Sequence, residues 1–473
     1  MDYEKLNLKV GLEIHRQINS HKLFCKCPSK LSEGNPDLII KRKLRAVESE
    51  IGEEDKAAVF ETLKNKEGLY EIFNESSCLI ELDEEPILDI NKDALKTVLT
   101  VSKMLNCNIL DDVIIMRKQV LDYSNTSGFQ RTGLVSRNGY MNVGNNAIEI
   151  DTVCIEEDAA RKIKEDSKNI VYRLDRLGIP LIEIATAPDI KTPEEAREVA
   201  AHIGMILKST GNFKSGLGTI RQDLNVSIKN GARVEIKGVQ DLGNIPKIIE
   251  NEVKRQLDII NKGKKVEKEV RKVNDKLGTD FLRPMPGASR MYVETDIPEI
   301  DTKEIVKDVV LPKLISEQVN ELVKKGLNES LAKEAIKNDI DLESYGMDIR
   351  TVANILIEKP KEIKTRFGVE VKRENLDKVL RLLKDKKINK DVIVDVIIDL
   401  ENDKFDSSKY EKIDAKVVEN EVKNLFKNNL SVKAMMGILM NKYKGKISGK
   451  ELIDIIKKYE KWLKLLCLIL MEL

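Results

Sequence analysis

Three adjacent carboxylates, Glu156, Glu157 and Asp158, follow an apolar run that ends at Ile155. Carboxylates this close together raise one another's pKa, and burial does the same, unless a cation lies among them. Carboxylate oxygens suit magnesium, so the cluster is a candidate metal site. Three acidic residues by themselves are also typical of a solvated turn that leads into a helix, and both interpretations stay open at this point.

A second pair of metal-capable side chains lies near the start of the chain. Residues 6–15 alternate between apolar and polar types, which predicts a half-buried strand with Glu13 and His15 on one face. Both side chains could join the acidic cluster. An ordinary hydrogen-bonded core histidine is the plainer interpretation of His15. Imidazole is also a less usual magnesium ligand than carboxylate, so His15 could instead support a ligand or bind a transition metal.

Charged residues also alternate along two predicted strands, residues 220–227 and 233–244, which an Asn230-Gly231 turn joins into a hairpin. Their polar faces carry Arg221, Asp223 and Asn225 on the first strand and Arg233, Glu235 and Lys237 on the second. Such a face is either solvated or the floor of a pocket, where carboxylates bind a cation and Arg or Lys neutralises phosphate. The sequence contains neither a Walker phosphate loop nor a Gly-x-Ser-x-Gly nucleophile motif.

Residues 117–132 combine cations, small polar residues and two aromatic residues. This composition predicts a loop that holds phosphates and stacks a base, with Ser124 and Arg131 as the candidate ligands of a nucleotide. A well-capped turn is an equally good interpretation of the same residues.

Six cysteines occur at irregular spacings and no signal peptide is present, which predicts a reducing cytoplasm rather than a disulfide framework. Cys25-x-Cys27, followed by Cys78 and Cys107, matches no recognised zinc-finger spacing, so unligated thiols are favoured over a structural zinc site. No run approaches the roughly 20 apolar residues of a membrane span. The apolar end, residues 462–473, is too short and carries charges, which indicates a core or interface helix.

The strands and helices that are expected to position these residues indicate the α+β fold class. A chain of 473 residues is long enough for about three domains. We expect strand-rich α+β structure at residues 1–300, a helical domain at 301–405 and a smaller helical tail domain at 406–473. Apolar spacings of three and four predict helices at 92–106, 249–260, 303–325, 329–338, 348–358, 374–386, 390–402, 417–426, 432–443 and 449–468.

The net charge of +1 neither favours nor excludes a polyanionic partner, so local patches must decide. Residues 359–390 are rich in Lys and Arg. That segment suits contacts with an RNA backbone, where affinity comes from phosphate neutralisation. A solvated helical face accounts for the same composition equally well.

Eight segments form an ordered pattern along the chain. Six are residues 11–15 (GLEIH), 23–25 (LFC), 155–161 (IEEDAAR), 178–184 (GIPLIEI), 221–227 (RQDLNVS) and 233–237 (RVEIK), and two more are residues 124–132 (SNTSGFQRT) and 283–292 (RPMPGASRMY). The first six resemble the B/E family of tRNA-dependent amidotransferases. The last two are similar to its archaeal E branch in particular.

The resemblance implies a function and partners. E-branch proteins use ATP and Mg²⁺ to phosphorylate the γ-carboxylate of glutamate misacylated onto tRNA(Gln). Ammonia from an asparaginase-like glutaminase partner of the D type then displaces the phosphate to give Gln-tRNA(Gln), so a heterodimer or heterotetramer is implied. The family fold begins with a β-rich cradle, here residues 1–300. It continues with an all-α helical domain and a helical tail that bind tRNA.

The resemblance also implies a metal and nucleotide site, carried over position by position to Glu13, His15, Glu156, Glu157 and Asp158. Strand alternation adds Glu183 and Glu235 as candidate metal ligands. The candidate catalytic residues are Glu157, Arg221 and Lys237, and the candidate nucleotide-binding residues are Ser124, Arg131 and Arg233. The cations among them would neutralise the charge of a transferring phosphoryl group.

One segment departs from the family pattern. E-branch chains carry a sizeable domain, related to an insertion in bacterial-type aspartyl-tRNA synthetase, just before the Arg-Pro-x-Pro-Gly segment. Here a short Lys-rich link, residues 261–276, stands near that position and is too poor in apolar residues to fold alone. We therefore expect the insertion to be missing near residues 261–280.

Three functional hypotheses follow. The first is an ATP-dependent amidotransferase component that acts on Glu-tRNA(Gln). The second is a tRNA-binding scaffold without chemistry of its own, and the third is a stand-alone metal hydrolase with a small substrate. The charged strands favour the first hypothesis over the second, and the long helical C-terminal half with its basic segment favours the first over the third.

Overall fold

The computed structural model describes residues 1–48, 52–216, 218–410, 413–427, 430–443 and 446–471. The chain divides into two compact units, Met1–Ile315 and Ser316–Leu473. Strands dominate the first unit and helices form the second, so the predicted α+β class is confirmed. No helix among the described residues is both long enough and apolar enough to cross a membrane.

The strands all lie in the first unit, together with its helices. The strands are β1 (Lys9–Gln17), β2 (Leu38–Arg42), β3 (Glu67–Ile72), β4 (Asn108–Ile109), β5 (Asp112–Val113), β6 (Ile115–Gln119), β7 (Phe129–Val143), β8 (Asn146–Glu157), β9 (Arg161–Glu165), β10 (Asn169–Arg173), β11 (Pro180–Thr186), β12 (Ile220–Ser227), β13 (Val234–Val239), β14 (Glu269–Val273), β15 (Thr279–Pro284), β16 (Met291–Tyr292) and β17 (Ile300–Asp301). The helices are α1 (Lys56–Leu63), α2 (Lys92–Met104), α3 (Pro193–Ser209), α4 (Ile245–Asn261) and α5 (Lys303–Lys307).

The largest sheet has the strand order β15-β14-β13-β12-β1-β11-β8-β7-β6-β16, with β4 paired to β7. Strand β1 lies near its centre and is antiparallel to both neighbours, β11 and β12. This register sets His15 opposite Glu183 on one side and Glu13 opposite Asp223 on the other. Residues that are far apart in sequence therefore become neighbours. Two smaller sheets have the orders β2-β3-β10-β9 and β17-β5.

The two faces of the large sheet differ in character because successive side chains of a strand point in opposite directions. Leu12 and Ile14 of β1 are fully buried and belong to one core cluster with residues of α2, α3 and α4. Leu95, Val199 and Ile249 are the corresponding buried positions of those three helices. Residues 13 and 15 therefore point away from this core, as the alternation of residues 6–15 predicts.

Caps at the helix N-termini help to set where the helices begin. Asn91 accepts hydrogen bonds from the backbone amides of Asp93 and Ala94, each at 3.1 Å, and so caps α2. Thr192 caps α3 by accepting from the Glu195 amide at 3.2 Å, with Pro193 at the first helical position. Both arrangements satisfy amides that lack partners within the helix.

Two predictions of local structure are wrong. Residues 117–132 are not one loop, because β6 ends at Gln119 and β7 begins at Phe129. Residues 303–325 are not one helix, because the chain between α5 and the next helix contains Pro312, which cannot donate the helical hydrogen bond. The link at residues 261–276 contributes β14, which pairs in parallel with β13 of the large sheet.

The second unit is helical. Its helices are α6 (Ile315–Lys324), α7 (Glu329–Lys337), α8 (Ile349–Ala353), α9 (Lys359–Phe367), α10 (Arg373–Lys384), α11 (Ile393–Glu401), α12 (Ala415–Lys427), α13 (Val432–Lys442) and α14 (Gly449–Met471), with a π-helical turn at Asn354–Glu358 between α8 and α9. Val418, Met435 and Leu452 belong to a separate core cluster formed by α12, α13 and α14. The predicted packing of the apolar end, residues 463–473, lies outside the described side chains.

Strand β7 packs closely against the chain at the end of α2, and a substitution of Gly139 tests this contact. A Cβ at this position would overlap the Cys107 sulfur and lie 2.6 Å from the Leu105 carbonyl oxygen. We therefore expect Gly139→Ala to lower the free energy of unfolding by about 1–3 kcal/mol, measured by urea denaturation. Gly204→Ala in α3 is the matched control, because its Cβ would meet nothing within 4 Å and a helical alanine adds stability. Equal effects of the two substitutions would contradict the close packing.

Candidate active site

His15, Glu156 and Glu183 form the first acidic cluster on the polar face of the large sheet. Their candidate ligand atoms all lie within 4.8 Å of one another. The imidazole Nε2 of His15 is 3.1 Å from the Glu183 carboxylate. Lys118 of β6 places its ammonium 2.5 Å from Glu156 and 3.9 Å from Glu183. Thr132 donates to Glu156 at 2.9 Å, so the neighbouring strand also holds this carboxylate in place.

Glu13, Asp223 and Glu235 form the second acidic cluster, from strands β1, β12 and β13. Their carboxylate oxygens also lie within 4.8 Å of one another. Lys237 lies among them, with its ammonium 2.7 Å from Asp223 and 2.5 Å from Glu235. The two clusters are neighbours, because Glu13 and His15 point from the same face of one strand.

Burial and charge shift the pKa values of these groups in opposite directions. Burial, and next the charge of Glu183, raise the pKa of Glu13 to about 7. Burial would also raise the pKa of Glu183, but Lys118 and His15 outweigh it and hold that pKa well below its usual value. Burial disfavours the His15 imidazolium, yet the hydrogen bond with Glu183 outweighs it and raises the pKa of His15. Glu13 therefore holds its proton more tightly than Glu183 does.

Negative charge exceeds positive charge across the two acidic clusters. Five carboxylates, those of Glu13, Glu156, Glu183, Asp223 and Glu235, are accompanied by the ammonium groups of Lys118 and Lys237 and by the imidazole of His15. A surplus of buried carboxylates is costly unless the groups take up protons or bind a cation. The raised pKa of Glu13 is the first of these responses, and a divalent cation would supply the second.

Asp158 lies beyond the end of β8 and belongs to neither acidic cluster. Its side chain is fully buried, where it accepts hydrogen bonds from Arg221 at 2.8 Å and from Gln17 at 2.7 Å. Arg176 is 3.8 Å away. Burial would raise the pKa of Asp158, but Arg221 and Arg176 outweigh it and lower that pKa. Asp158 therefore fixes the position of Arg221 at the edge of the polar face.

Glu157 points away from its neighbour Glu156, as successive strand residues do. Its carboxylate accepts a hydrogen bond from the Arg131 backbone amide at 3.0 Å and lies 3.4 Å from the Arg131 guanidinium. Burial raises the pKa of Glu157, although Arg131 partly opposes this. The two residues line a pocket together with Phe24, Glu81, Asp83, Asn125, Thr126 and Leu177. Glu157 therefore belongs to a site different from the acidic clusters.

Asp296 connects this pocket to the C-terminal part of the first unit. It accepts a hydrogen bond from the Arg131 Nε at 2.8 Å and pairs with Arg117. The aromatic ring of Phe129 lies under the Arg117 guanidinium, 5.9 Å from its centre. Sequence reasoning missed Asp296, because no local pattern joins it to strands β6 and β7, more than 150 residues earlier in the chain.

The remaining candidate residues, Ser124 and Arg233, lie outside the two acidic clusters. Ser124 is buried in the turn between β6 and β7, next to the pocket-lining Asn125. Arg233 is exposed at the start of β13, and its Nε donates to Asn225 at 2.9 Å. Neither side chain contacts the acidic clusters within the part of the chain that the structure describes. Lys118, which sequence reasoning did not select, is the cation of the first cluster.

Comparisons with known proteins match most of the first unit to one family. Residues 8–308 match the model described as the GatB/GatE catalytic domain. The E-type component of a glutamyl-tRNA(Gln) amidotransferase from Methanocaldococcus jannaschii is 35% identical, over 97% of this chain and 99% of the relative. The corresponding protein of Methanosarcina acetivorans is 33% identical, over 97% and 98%. The chain belongs to the GatB/GatE family.

The GatB/GatE match covers both acidic clusters and the Glu157–Arg131 pocket, so the predicted resemblance is confirmed. The alignment with the M. jannaschii relative extends over 624 positions, whereas this chain has 473 residues. The relative therefore contains residues that have no counterpart here. In this chain a tight turn joins β14 to β15, with the Asn274 side chain accepting from the amides of Lys276 and Gly278.

The raised pKa of Glu13 predicts how stability depends on pH when no metal is bound. The folded chain keeps this proton up to a pH of about 7, whereas the unfolded chain loses it near 4.5. Stability therefore falls as pH rises between these values. In the presence of a chelator, we expect the melting temperature of the wild type to fall relative to that of Glu13→Gln between about pH 5 and about pH 8. Parallel curves for the two proteins would contradict the assignment.

Proposed function

We propose that this GatB/GatE family member is the ATP- and Mg²⁺-dependent catalytic component of a glutamyl-tRNA(Gln) amidotransferase. It phosphorylates the γ-carboxylate of glutamate on tRNA(Gln) and transfers ammonia to that carbon, giving Gln-tRNA(Gln). An asparaginase-like glutaminase partner supplies the ammonia, in a cytoplasmic complex of two or four chains. The names of the relatives, components of enzymes that act on glutamyl-tRNA(Gln), support the substrate and the need for partner chains.

The observation that carries the proposal is the surplus of carboxylates in the two adjoining acidic clusters. Oxygen ligands in this number suit Mg²⁺, whereas the thiolates that zinc and copper favour are not among them. Glu156 and Glu183, with His15, are our candidates to hold the ion in the first cluster, and Glu13 of the adjoining second cluster is a further candidate. A bound Mg²⁺ would neutralise charge that develops on the transferring phosphoryl group.

The lysines of the two clusters have a defined task in this reaction. Both the acyl-tRNA carboxylate and the triphosphate are anions, so their approach needs fixed positive charge. Burial disfavours the Lys237 ammonium, but Asp223 and Glu235 outweigh it and raise the pKa of Lys237. Lys118 behaves in the same way beside Glu156, which raises its pKa. Both side chains thus stay protonated and can redirect their hydrogen bonds to an incoming anion.

The arginines are the second source of positive charge. Arg221 is held by Asp158, and Arg131 is held by Glu157 and Asp296. Such pairing orients a guanidinium before the substrate arrives, so less entropy is lost on binding. Arg131 with Ser124 in the adjoining turn is our candidate contact for the nucleotide, and exposed Arg233 is a candidate for a peripheral phosphate contact.

The helical unit, in this proposal, binds the tRNA backbone. Many cations of residues 359–390 are already paired with carboxylates, for example Lys361 with Glu334 and Lys364 with Glu370. Surface ion pairs of this kind contribute little stability, so phosphates can displace them. The tRNA-binding scaffold without chemistry is the alternative, and it gives no reason for burying five carboxylates together.

Glu156→Gln tests the proposed chemistry. We expect it to lower the rate of ATP-dependent Gln-tRNA(Gln) formation about 10²–10³-fold, because the amide removes one charge from the first acidic cluster. Glu157→Gln should also abolish γ-phosphorylation, through loss of the Arg131 contact. The assay uses the complete complex with glutamylated tRNA(Gln), ATP and glutamine, and it measures glutamine hydrolysis in parallel.

The matched control is Glu149→Gln, which makes the same change at an exposed position of the same strand and should leave the rate unchanged. Glutamine hydrolysis by the partner should persist in all three variants. ATP turnover and transamidation at the wild-type rate in Glu156→Gln would contradict the proposal.

The salt dependence of tRNA binding tests the role of the helical unit. We expect the affinity for tRNA(Gln) to fall steeply with added salt, because phosphate contacts release counterions. Replacing Lys361, Lys364 and Arg366 by Gln should reduce the slope of log K against log salt by up to about three, measured by filter binding. These side chains are exposed, so the melting temperature should not change. A flat salt response would instead support a small substrate.

A further inference from the structure

Arg290 lies beside the first acidic cluster, although it is far from that cluster in the sequence. It ends the short 3₁₀ turn Ala288–Arg290, and the next residue, Met291, begins β16. Strand β16 is antiparallel to β6 and sets Met291 opposite Lys118. Lys118 is the lysine whose ammonium lies 2.5 Å from Glu156. Strand pairing at this edge of the large sheet therefore brings Arg290 next to the residues of the first cluster.

The charge of Arg290 acts on both an acid and a base of the first cluster. Burial lowers the pKa of Lys118 and the nearby carboxylates raise it, whereas the charge of Arg290 acts in the same direction as burial. Burial raises the pKa of Glu183, but Lys118 and, to a smaller extent, Arg290 lower it. Because Coulomb interactions weaken with distance, a guanidinium that affects both groups lies close to both of them.

The Arg290 guanidinium has no partner in the part of the chain that the structure describes. The side chain is half-buried, yet within those residues it makes neither an ion pair nor a hydrogen bond. By contrast, Arg131 and Arg221 are each paired with an aspartate. Keeping a cation in a half-buried position without a counter-ion is costly, unless the position serves to bind an anion. The unpaired donors of Arg290 therefore suit an anionic ligand.

The turn that carries Arg290 is held on both sides. Before the turn, the Gly287 amide donates to the carboxylate of the buried Asp55 at 2.8 Å. After the turn, the ring of Tyr292 packs edge-on against the ring of Phe129, with 5.3 Å between their centres. A group that is positioned before its ligand arrives loses less entropy on binding. Arg290 is thus a positioned side chain rather than a freely moving surface arginine.

We propose that Arg290 is a further catalytic residue, which donates hydrogen bonds to the phosphoryl group as it moves from ATP to the glutamate carboxylate. This inference rests on the proposed function. In that step a carboxylate oxygen bonds to the γ-phosphorus, the bond from this phosphorus to the bridging oxygen breaks, and the electron pair leaves with ADP. The negative charge on the transferring group and on the leaving oxygen needs fixed donors. A guanidinium offers two parallel donors that match phosphate oxygens, whereas the ammonium of Lys118 is a point charge.

Screening of the carboxylates is the alternative role of Arg290. A cation beside a surplus of carboxylates weakens the binding of Mg²⁺ even when it touches no substrate. The two roles have different consequences when the side chain is removed. Loss of a screening cation tightens Mg²⁺ binding and leaves the maximal rate unchanged. Loss of a contact made in the transition state lowers the maximal rate instead.

Single-turnover assays on the complete complex, with glutamylated tRNA(Gln), ATP and saturating Mg²⁺, test the inference. We expect Arg290→Ala to lower the rate of ADP formation about 10²–10³-fold, with the affinity for tRNA and the melting temperature unchanged. Arg290→Lys should keep part of the rate, because it retains the charge but not the paired donors. Added guanidinium, below the concentration that unfolds the protein, should restore part of the rate of Arg290→Ala. Arg137→Ala changes an exposed arginine of β7 and, as the matched control, should react at the wild-type rate.

Binding of a transition-state mimic gives a readout that needs no turnover. ADP with aluminium fluoride and Mg²⁺ imitates the transferring phosphoryl group, and calorimetry on the complex with tRNA(Gln) measures its affinity. Arg290→Ala should bind this mimic about 10²-fold more weakly than the wild type does. ADP without fluoride should bind equally to both proteins, because it lacks the group that Arg290 contacts.

The outcomes separate this inference from the proposed function. A wild type that forms no ADP with glutamylated tRNA(Gln) would contradict the proposed function, and the role of Arg290 with it. An active wild type and an equally active Arg290→Ala would overturn the inference alone. Tighter Mg²⁺ binding by Arg290→Ala at an unchanged maximal rate would also overturn it, because Arg290 would then only screen the carboxylates.

Discussion

The alternation of side chains across the large sheet underlies both acidic clusters of the first unit. Leu12 and Ile14 pack into the core with α2, α3 and α4, and this burial obliges Glu13 and His15 to point to the opposite face. The same constraint operates on the neighbouring strands, where Glu183 lies between the buried Ile182 and Ile184. The apolar core thus provides the free energy that holds like charges close together.

Charge surplus, rather than any single residue, distinguishes the polar face of the large sheet. Burial and the charge of Glu183 raise the pKa of Glu13, and Lys237 and His15 oppose this only in part. For Glu183, Lys118 and the hydrogen bond with His15 outweigh burial and lower the pKa. Two carboxyl groups on adjoining strands therefore have different protonation at neutral pH. The Glu157–Arg131 pocket is separate from the acidic clusters, so neighbouring residues of one short acidic sequence contribute to two different sites.

Local patterns in the sequence predicted where strands lie more reliably than which strands pair with one another. Period-two alternation located β1, and the Asn230-Gly231 turn located the β12–β13 hairpin. The family resemblance directed attention to His15 and Glu156. Pairing of β1 with β11 and β12 joins residues more than 150 positions apart, and no local pattern encodes that register. For the same reason Lys118, Asp296 and Glu81 were missed. Glu156 and Glu157 were treated as one cluster because the apolar run ends at Ile155, whereas β8 continues to Glu157.

The central claim is that the two acidic clusters hold a divalent cation, and anomalous X-ray scattering from crystals soaked with Mn²⁺ tests it most directly. The account predicts an anomalous peak about 2.2 Å from carboxylate oxygens of Glu156, Glu183 or Glu13. A peak that lies elsewhere in the chain, or no peak at a saturating concentration of the ion, would contradict it.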